Sequence, residues 1–120
     1  MTLRITLKPG EPVFIGDAVL RVASRSTCVV LIDGDAPVLR AEDFLPEPPK
    51  ATPIEAMRLL IQELYLTGHA ETAADRFGEL ARTVLAEQPG LAPLIEKLDG
   101  LLRHGQLYRA VKEAKHTALG

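Results

Sequence analysis

A proline-rich segment near the middle of the chain is the feature that most constrains its fold. The segment spans residues 46–50 and reads PEPPK. Neither a strand nor a helix continues through it easily, because proline fixes φ and lacks a backbone N–H. The hydrophobic pattern has period two before this segment and helical spacing after it. We therefore predict an antiparallel β unit over 1–45, a proline-rich linker over 46–51 and an all-helical unit over 52–120, which together form an α+β fold.

Five short strands are predicted in the first half. Leu3, Ile5 and Leu7 alternate with polar residues, which is typical of a half-buried strand. Later turns include the sequence DGD at 33–35, which indicates a hairpin. So many strands in so short a stretch leave no room for crossover helices, so we expect a small antiparallel sheet or open barrel. The other predicted strands are 13–15, 18–23, 28–32 and 38–40.

Two of these strands carry specific burial predictions. In the third, Ala18, Leu20 and Val22 form an apolar face, which we expect to lie toward the core. The fourth, Cys28 to Ile32, is apolar throughout and is predicted to be buried on both faces. Cys28 is the single cysteine, and we expect it to act as a small buried hydrophobic residue.

Four helices in two hairpins are predicted in the second half. Thr52 and Glu55 form a capping-box pattern, and Gly68 is expected to end the first helix. The remaining helices are expected at about 70–87, 91–104 and 106–118. Gly68 and Gly105 recur with a spacing of about 37 residues, which leaves two interpretations open. One is a pair of tetratricopeptide-type units with a groove, and the other is two ordinary antiparallel hairpins.

The histidines and the closely spaced aspartates of the sequence are explained by structural roles and not by catalysis. His69, His104 and His116 lie near predicted helix ends, without metal-site spacing and without a neighbouring nucleophile. Histidines in such turns can cap free helix carbonyls. Asp33 and Asp35 flank a glycine, and turn chemistry explains both. We therefore expect no enzyme, no catalytic residue, no metal and no cofactor.

The charge balance limits any nucleic-acid interface to a narrow patch. The chain has 14 Lys and Arg against 16 Asp and Glu, for a net charge of −2, and neither half is basic. Aromatic residues make up only 4%, which argues against a broad base-stacking platform. No signal peptide or membrane-spanning run is recognised in the sequence, so a cytoplasmic location is expected.

One basic stripe is predicted on the first strand. Arg4, Thr6 and Lys8 share one face at period two, and Arg40 joins them if the last strand pairs with the first. Arginine and lysine along a strand edge could meet a phosphate backbone. The alternative is an ordinary solvated strand face.

Motifs along nearly the whole chain resemble the FlbT family, the flagellum biosynthesis regulators of alphaproteobacteria. In the first half these motifs are LKPGE at 7–11, GDAV at 16–19 and VLRAED at 38–43. In the second half they are the Thr-Pro pair at 52–53, QELYL at 62–66 and YRAVK at 108–112.

The first half also resembles CsrA, a small translational regulator. The similarity lies in KPGE at 8–11, IGD at 15–17 and RAE at 40–42. In CsrA the first and last strands form the RNA-binding edge of an intertwined dimer. This resemblance places Thr6, Lys8 and Arg40 in RNA-contacting strands, although Leu7 stands where that family has an arginine. It also implies a homo-oligomer.

The FlbT resemblance implies a non-catalytic post-transcriptional regulator of flagellin. It would bind the 5′ untranslated region of flagellin mRNA, and either repression or activation is open. The expected RNA contacts are Thr6, Lys8 and Arg40, which the CsrA resemblance implies, and Arg4, which the basic stripe adds. The alternative is a protein-interaction module in flagellum assembly that binds flagellin or a flagellin secretion chaperone through the helices. In that case the sheet would serve dimerisation only.

Overall fold

In the part of the chain that the structure describes, five β-strands are followed by four α-helices, so the α+β prediction is confirmed. The computed structural model describes residues 1–69 and 71–119 and consists of two units, Met1–Phe44 and Leu45–Gly120. The strands of the first unit are β1 (Thr2–Leu7), β2 (Pro12–Ile15), β3 (Ala18–Arg21), β4 (Cys28–Asp33) and β5 (Val38–Arg40). The helices of the second unit are α1 (Pro53–Thr67), α2 (Ala73–Glu87), α3 (Ala92–Arg103) and α4 (Leu107–Leu119).

Within residues 1–69 and 71–119, the strands form two small antiparallel sheets and no closed barrel. β1 pairs with β4 in a two-stranded sheet, and β2 lies between β3 and β5 in a three-stranded sheet. The segment 33–35 is therefore not a hairpin, because the strands on its two sides belong to different sheets. The hairpin prediction for this turn is wrong because local turn chemistry does not specify which strands pair.

One apolar cluster forms the core of the β unit. Its buried members are Ile5, Leu7, Val13 and Val22. Partly buried residues surround them, and these are Ile15, Cys28, Val30, Ile32 and Val38. The Cys28 thiol is partly buried and lies 3.5 Å from the carbonyl oxygen of Ser26. Cys28 thus packs against the core as expected, but without full burial.

Burial of β3 and β4 differs from the sequence predictions. In β4 the side chains alternate, and Val29 and Leu31 are 52% and 62% exposed. A strand in a two-stranded antiparallel sheet has only one face against the core, so the prediction of burial on both faces is wrong. In β3, Ala18 and Leu20 are exposed, and Val22, just beyond the strand, is the buried residue. β3 is an edge strand that pairs only with β2, which explains this exposure.

The start and end of α1 follow the predicted signals. The Glu55 backbone N–H donates to Thr52 Oγ1 at 3.2 Å, and the Thr52 backbone N–H donates to Glu55 Oε1 at 3.1 Å. Pro53 occupies the first helical turn, where its missing N–H costs no hydrogen bond. Gly68 ends the helix with a φ of 72°, in the left-handed region that glycine adopts without strain. The capping-box prediction is confirmed.

A buried glutamine attaches the beginning of the second unit to α1. The Gln62 side chain donates from Nε2 to the carbonyl oxygen of Leu45 at 2.9 Å. Its Oε1 accepts from the Leu45 N–H at 2.8 Å. Both backbone groups of one residue are therefore satisfied by one amide, which fixes the chain before the proline-rich segment.

The helices form two antiparallel hairpins joined through α1 and α4. α1 packs against α2 and α4, and α3 packs against α4. The sequence repeat pairs α1 with α3 and α2 with α4, yet α1 and α4 make the contact between hairpins. This contact favours two ordinary hairpins over stacked tetratricopeptide-type units. The buried residues of these helices include Ile61, Phe77, Leu80, Val84, Leu94, Ile95, Leu98, Ala110, Val111 and Ala114.

Candidate nucleic-acid interface

The exposed side of β1 carries two of the four predicted contact residues. Ile5 and Leu7 point into the core, so Arg4 and Thr6 lie on the opposite face and are exposed. Lys8 follows the strand directly and is also exposed. Among the described residues, neither Arg4 nor Lys8 forms an ion pair. Their charges are therefore available to a ligand in solution.

Arg40 reaches β1 by a route that differs from the predicted one. The last strand, β5, pairs with β2 and not with β1, so the condition of direct pairing is not met. The long Arg40 side chain nevertheless donates from Nη2 to the carbonyl oxygen of Thr6 at 3.2 Å. The guanidinium thereby lies at β1 through a side-chain hydrogen bond.

The hydrogen-bond pattern of the two-stranded sheet shows which backbone groups face outward. The Gly34 N–H donates to the Met1 carbonyl oxygen at 2.9 Å, next to the Thr2–Asp33 pair. In an antiparallel ladder, hydrogen-bonded and non-hydrogen-bonded pairs alternate. The N–H and C=O groups of Thr2, Arg4 and Thr6 consequently point away from β4. The Arg40 contact with Thr6 lies on this outer edge.

Apolar side chains of β4 share the exposed face with the basic ones. Arg4 lies opposite Leu31, and Thr6 lies opposite Val29. At one end of this face, Thr2 Oγ1 donates a hydrogen bond to Asp33 Oδ1. The face is therefore part basic and part apolar, with its carboxylate engaged by Thr2. Sequence reasoning missed the apolar part, because the exposure of Val29 and Leu31 depends on which strand pairs with β4 and no local pattern specifies that pairing.

A second candidate site is an apolar groove within the helical unit. It has a volume of about 830 Å³ and is lined by α1, α2 and α3. The lining of α2 consists largely of small residues, including Ala74, Gly78 and Ala81. Glu96, Asp99 and Arg103 of α3 add charged groups to the lining. Asp99 and Arg103 form an ion pair at 2.8 Å, whereas Glu96 has no ion-pair partner among the described residues.

The histidines have positions consistent with helix ends. His104 Nδ1 lies 2.7 Å from the carbonyl oxygen of Gly100 and so caps the end of α3. His69 and His116 are exposed. Within residues 1–69 and 71–119, no group of three or more His, Cys, Asp or Glu residues could hold a metal ion. In the same residues, no helix combines the length and apolar character needed to cross a membrane.

The family model and the relatives that match the chain all name the same family. The family model described as "Flagellar protein FlbT" matches residues 3–118. The protein is 31% identical to "Probable flagellum biosynthesis repressor protein FlbT 1" of Bradyrhizobium diazoefficiens, over 96% of this chain and 79% of that relative. It is 32% identical to "Probable flagellum biosynthesis repressor protein FlbT" of Rhodopseudomonas palustris, over 96% of this chain and 90% of the relative.

The names of the family and of both relatives describe flagellar proteins. No solved structure matches the chain. The family match covers both units, including Arg40, the helices α1, α2 and α3, and nearly all of β1 and α4. With that coverage, and with two relatives above 30% identity, the chain belongs to the FlbT family of flagellar proteins.

Proposed function

We propose that this protein is a non-catalytic, post-transcriptional regulator of flagellin expression that acts in the cytoplasm. In this proposal the outer edge of β1 binds the 5′ untranslated region of flagellin mRNA. Family membership and the names of the relatives support a role in flagellum biosynthesis, and those names favour repression. The main support for RNA binding is the hydrogen bond from Arg40 to Thr6. This bond adds a third cationic side chain to the edge beside Arg4 and Lys8.

Phosphate contacts would come from the three basic side chains. Arg4 and Lys8 are exposed and form no ion pair among the described residues, so they bind phosphate without first breaking an internal pair. The Arg40 guanidinium has five N–H donors and uses one of them on Thr6, which leaves others for phosphate or a base edge. Such contacts supply affinity and position the transcript.

Base recognition would come from the strand edge and not from stacking. The outward N–H and C=O groups of Thr2 and Arg4 can hydrogen-bond the edges of unstacked bases in a single-stranded loop. The Thr6 hydroxyl on the same face adds a donor and an acceptor. Since the chain has no tryptophan and few other aromatic residues, hydrogen bonds are the available means of discrimination.

An electrophoretic mobility assay on the flagellin leader RNA tests this proposal. We expect Arg4→Ala, Lys8→Ala and Arg40→Ala each to weaken binding and to reduce the salt slope by roughly 0.7 per lost phosphate contact. The matched control is Arg82→Ala, which removes the same charge from an exposed position of α2. Equal binding by all four variants, or no binding by the unaltered protein, would refute the assignment.

The groove of the helical unit supports a second candidate function. We infer that, in this alternative, the protein acts in flagellum assembly by binding a helix of flagellin or of its secretion chaperone. The supporting observation is the apolar lining between α1, α2 and α3, where Ala74, Gly78 and Ala81 would allow close approach of a partner helix.

A binding assay with purified flagellin and with the chaperone tests the alternative. Ala81→Glu places a charge in the groove and should abolish binding by the full chain. Ala86→Glu introduces the same charge on an exposed position of α2 outside the lining, and it should bind normally. Equal binding by the two variants would contradict groove recognition.

A further inference from the structure

The outer edge of β4 has the properties of an uncovered association surface. Because β1 and β4 hydrogen-bond through alternate residues, the backbone N–H and C=O groups of Val29, Leu31 and Asp33 point away from β1. Among the described strands, β4 pairs only with β1. Edge strands are normally protected by lysine, proline or a bulge, and β4, with the sequence CVVLID, contains neither lysine nor proline.

The exposed side chains of β4 also indicate that this strand is an uncovered association surface. Val29 and Leu31 are 52% and 62% exposed, which leaves two large apolar side chains uncovered on a six-residue strand. A two-stranded sheet is marginal in water when it is isolated, and only one face of the β1–β4 sheet packs against the core cluster. An additional strand at this edge would satisfy the outward backbone groups and cover Leu31.

Charge distinguishes the two edges of this sheet. The β1 edge carries Arg4, the nearby Lys8 and the Arg40 guanidinium, so two copies brought together there would place like charges side by side. The β4 edge carries one charge, Asp33, at its end. Self-association is therefore disfavoured at β1 and permitted at β4.

We propose that β4 pairs antiparallel with β4 of a second copy about a two-fold axis at Leu31. Each Leu31 then lies opposite Leu31 of the second copy, and Asp33 lies opposite Val29 of the second copy. The two Asp33 carboxylates are about 14 Å apart along the strands, given about 3.4 Å per residue. The product is a four-stranded antiparallel sheet in which β1 is the outer strand on both sides.

The turns at the two ends of β4 are complementary in charge under this register. The acidic turn containing Asp33 and Asp35 follows the strand, and the turn containing Arg25 precedes it. Antiparallel pairing brings the acidic turn of one copy to the end of the strand where Arg25 of the second copy lies. The expected assembly is a closed dimer, because a two-fold axis uses the same surface on both copies. The contact between the acidic turn and the Arg25 turn then occurs twice.

The mass of the full-length protein in solution provides the first test. Light scattering and sedimentation should give a dimer for the unaltered chain. Leu31→Asp should raise the dimer dissociation constant at least about tenfold, because it places two facing carboxylates at the axis. Val19→Asp is the matched control, since Val19 is 50% exposed on the edge strand β3 of the other sheet, and it should stay dimeric. A monomeric unaltered protein, or a dimer lost in Val19→Asp and kept in Leu31→Asp, overturns the proposal.

Disulfide trapping tests the register without depending on the Leu31→Asp variant. Cα atoms in a hydrogen-bonded antiparallel pair are about 5.5 Å apart, which a disulfide can span. In a Cys28→Ser background, Leu31→Cys should give a covalent dimer on oxidation, and Val19→Cys should not. Efficient cross-linking at position 19 with none at position 31 would refute this interface. These tests use no RNA, so their outcome is separate from that of the proposed leader-RNA binding.

Discussion

Arg40 and Thr6 are 34 residues apart in sequence, and a single hydrogen bond of 3.2 Å joins the Arg40 guanidinium to the Thr6 carbonyl oxygen. The two residues belong to strands of different sheets, β5 and β1. The bond therefore connects the two sheets of the β unit. It also holds a cationic group at the outer edge of β1, where the proposed RNA site lies.

Replacing Arg40 by lysine separates the charge of this side chain from its hydrogen bond. Arg40→Lys keeps the cation but lacks the planar guanidinium, so we expect the free energy of unfolding to fall by about 0.5–1.5 kcal/mol. The salt slope of leader-RNA binding should change little. Urea unfolding and binding at several salt concentrations measure the two effects. Arg21→Lys on the exposed strand β3 is the control, and a larger loss of stability there would contradict the role of the Thr6 bond.

Loss of the Gln62 amide should be one of the more costly polar substitutions in the helical unit. Gln62→Ala leaves the N–H and C=O groups of Leu45 without their partner, so we expect a loss of about 1–3 kcal/mol. Glu63→Ala, the exposed neighbour on α1, should change stability by less than about 0.5 kcal/mol. Denaturant unfolding monitored by circular dichroism checks both. Equal stability of the two variants would show that water replaces the Gln62 contacts.

Thr52 is expected to set the stability of the α1 N-terminus. Thr52→Ala removes the oxygen that accepts from the Glu55 N–H, and the usual cost of losing such a cap is about 1 kcal/mol. Thr52→Ser retains the acceptor and should recover most of the loss. Thermal unfolding of the three proteins makes the comparison, and a serine variant as unstable as the alanine variant would argue against capping.

The capping box also predicts a dependence on pH. The hydrogen bond from the Thr52 backbone N–H, followed by that from its side chain, lowers the pKa of Glu55 from its ordinary value. A carboxyl group with a lowered folded-state pKa stabilises the fold above its unfolded-state pKa. This stabilisation is lost as the pH falls through the folded-state pKa. Glu55→Gln should therefore reduce the decline in stability on acidification, which unfolding at a series of acidic pH values would detect.

Two glycines near the end of α3 should respond oppositely to alanine. Gly100 lies inside the helix, with no neighbouring atom within 4 Å of an added Cβ, so Gly100→Ala should stabilise the protein by about 0.5–1 kcal/mol. Gly105 follows the helix with a φ of 71°, and Gly105→Ala should destabilise it by about 1–2 kcal/mol. Chemical unfolding of both variants tests the pair. The same sign of change in both would contradict this explanation.

The basic face of β1 could be predicted from sequence, but the residues of other strands that share this site could not. The alternation around Ile5 and Leu7 places Arg4 and Thr6 on one exposed face, and period two is sufficient for that inference. The partners across the sheet depend on which strands pair, and no local pattern pairs β1 with β4. For this reason the exposed Val29 and Leu31 were not anticipated, and the route by which Arg40 reaches Thr6 was not either.

Local sequence signals are sufficient to predict the interruption at the proline-rich segment and both ends of α1. Proline at 46, 48 and 49 interrupts regular structure, Thr52 and Glu55 start α1, and Gly68 ends it, because each acts through backbone geometry within a few residues. Tertiary structure alone decided the division into two sheets, the exposure of one face of β4 and the contact of α1 with α4. These features depend on contacts between residues far apart in the chain, whose free energies are set by the shared core and not by neighbouring residues.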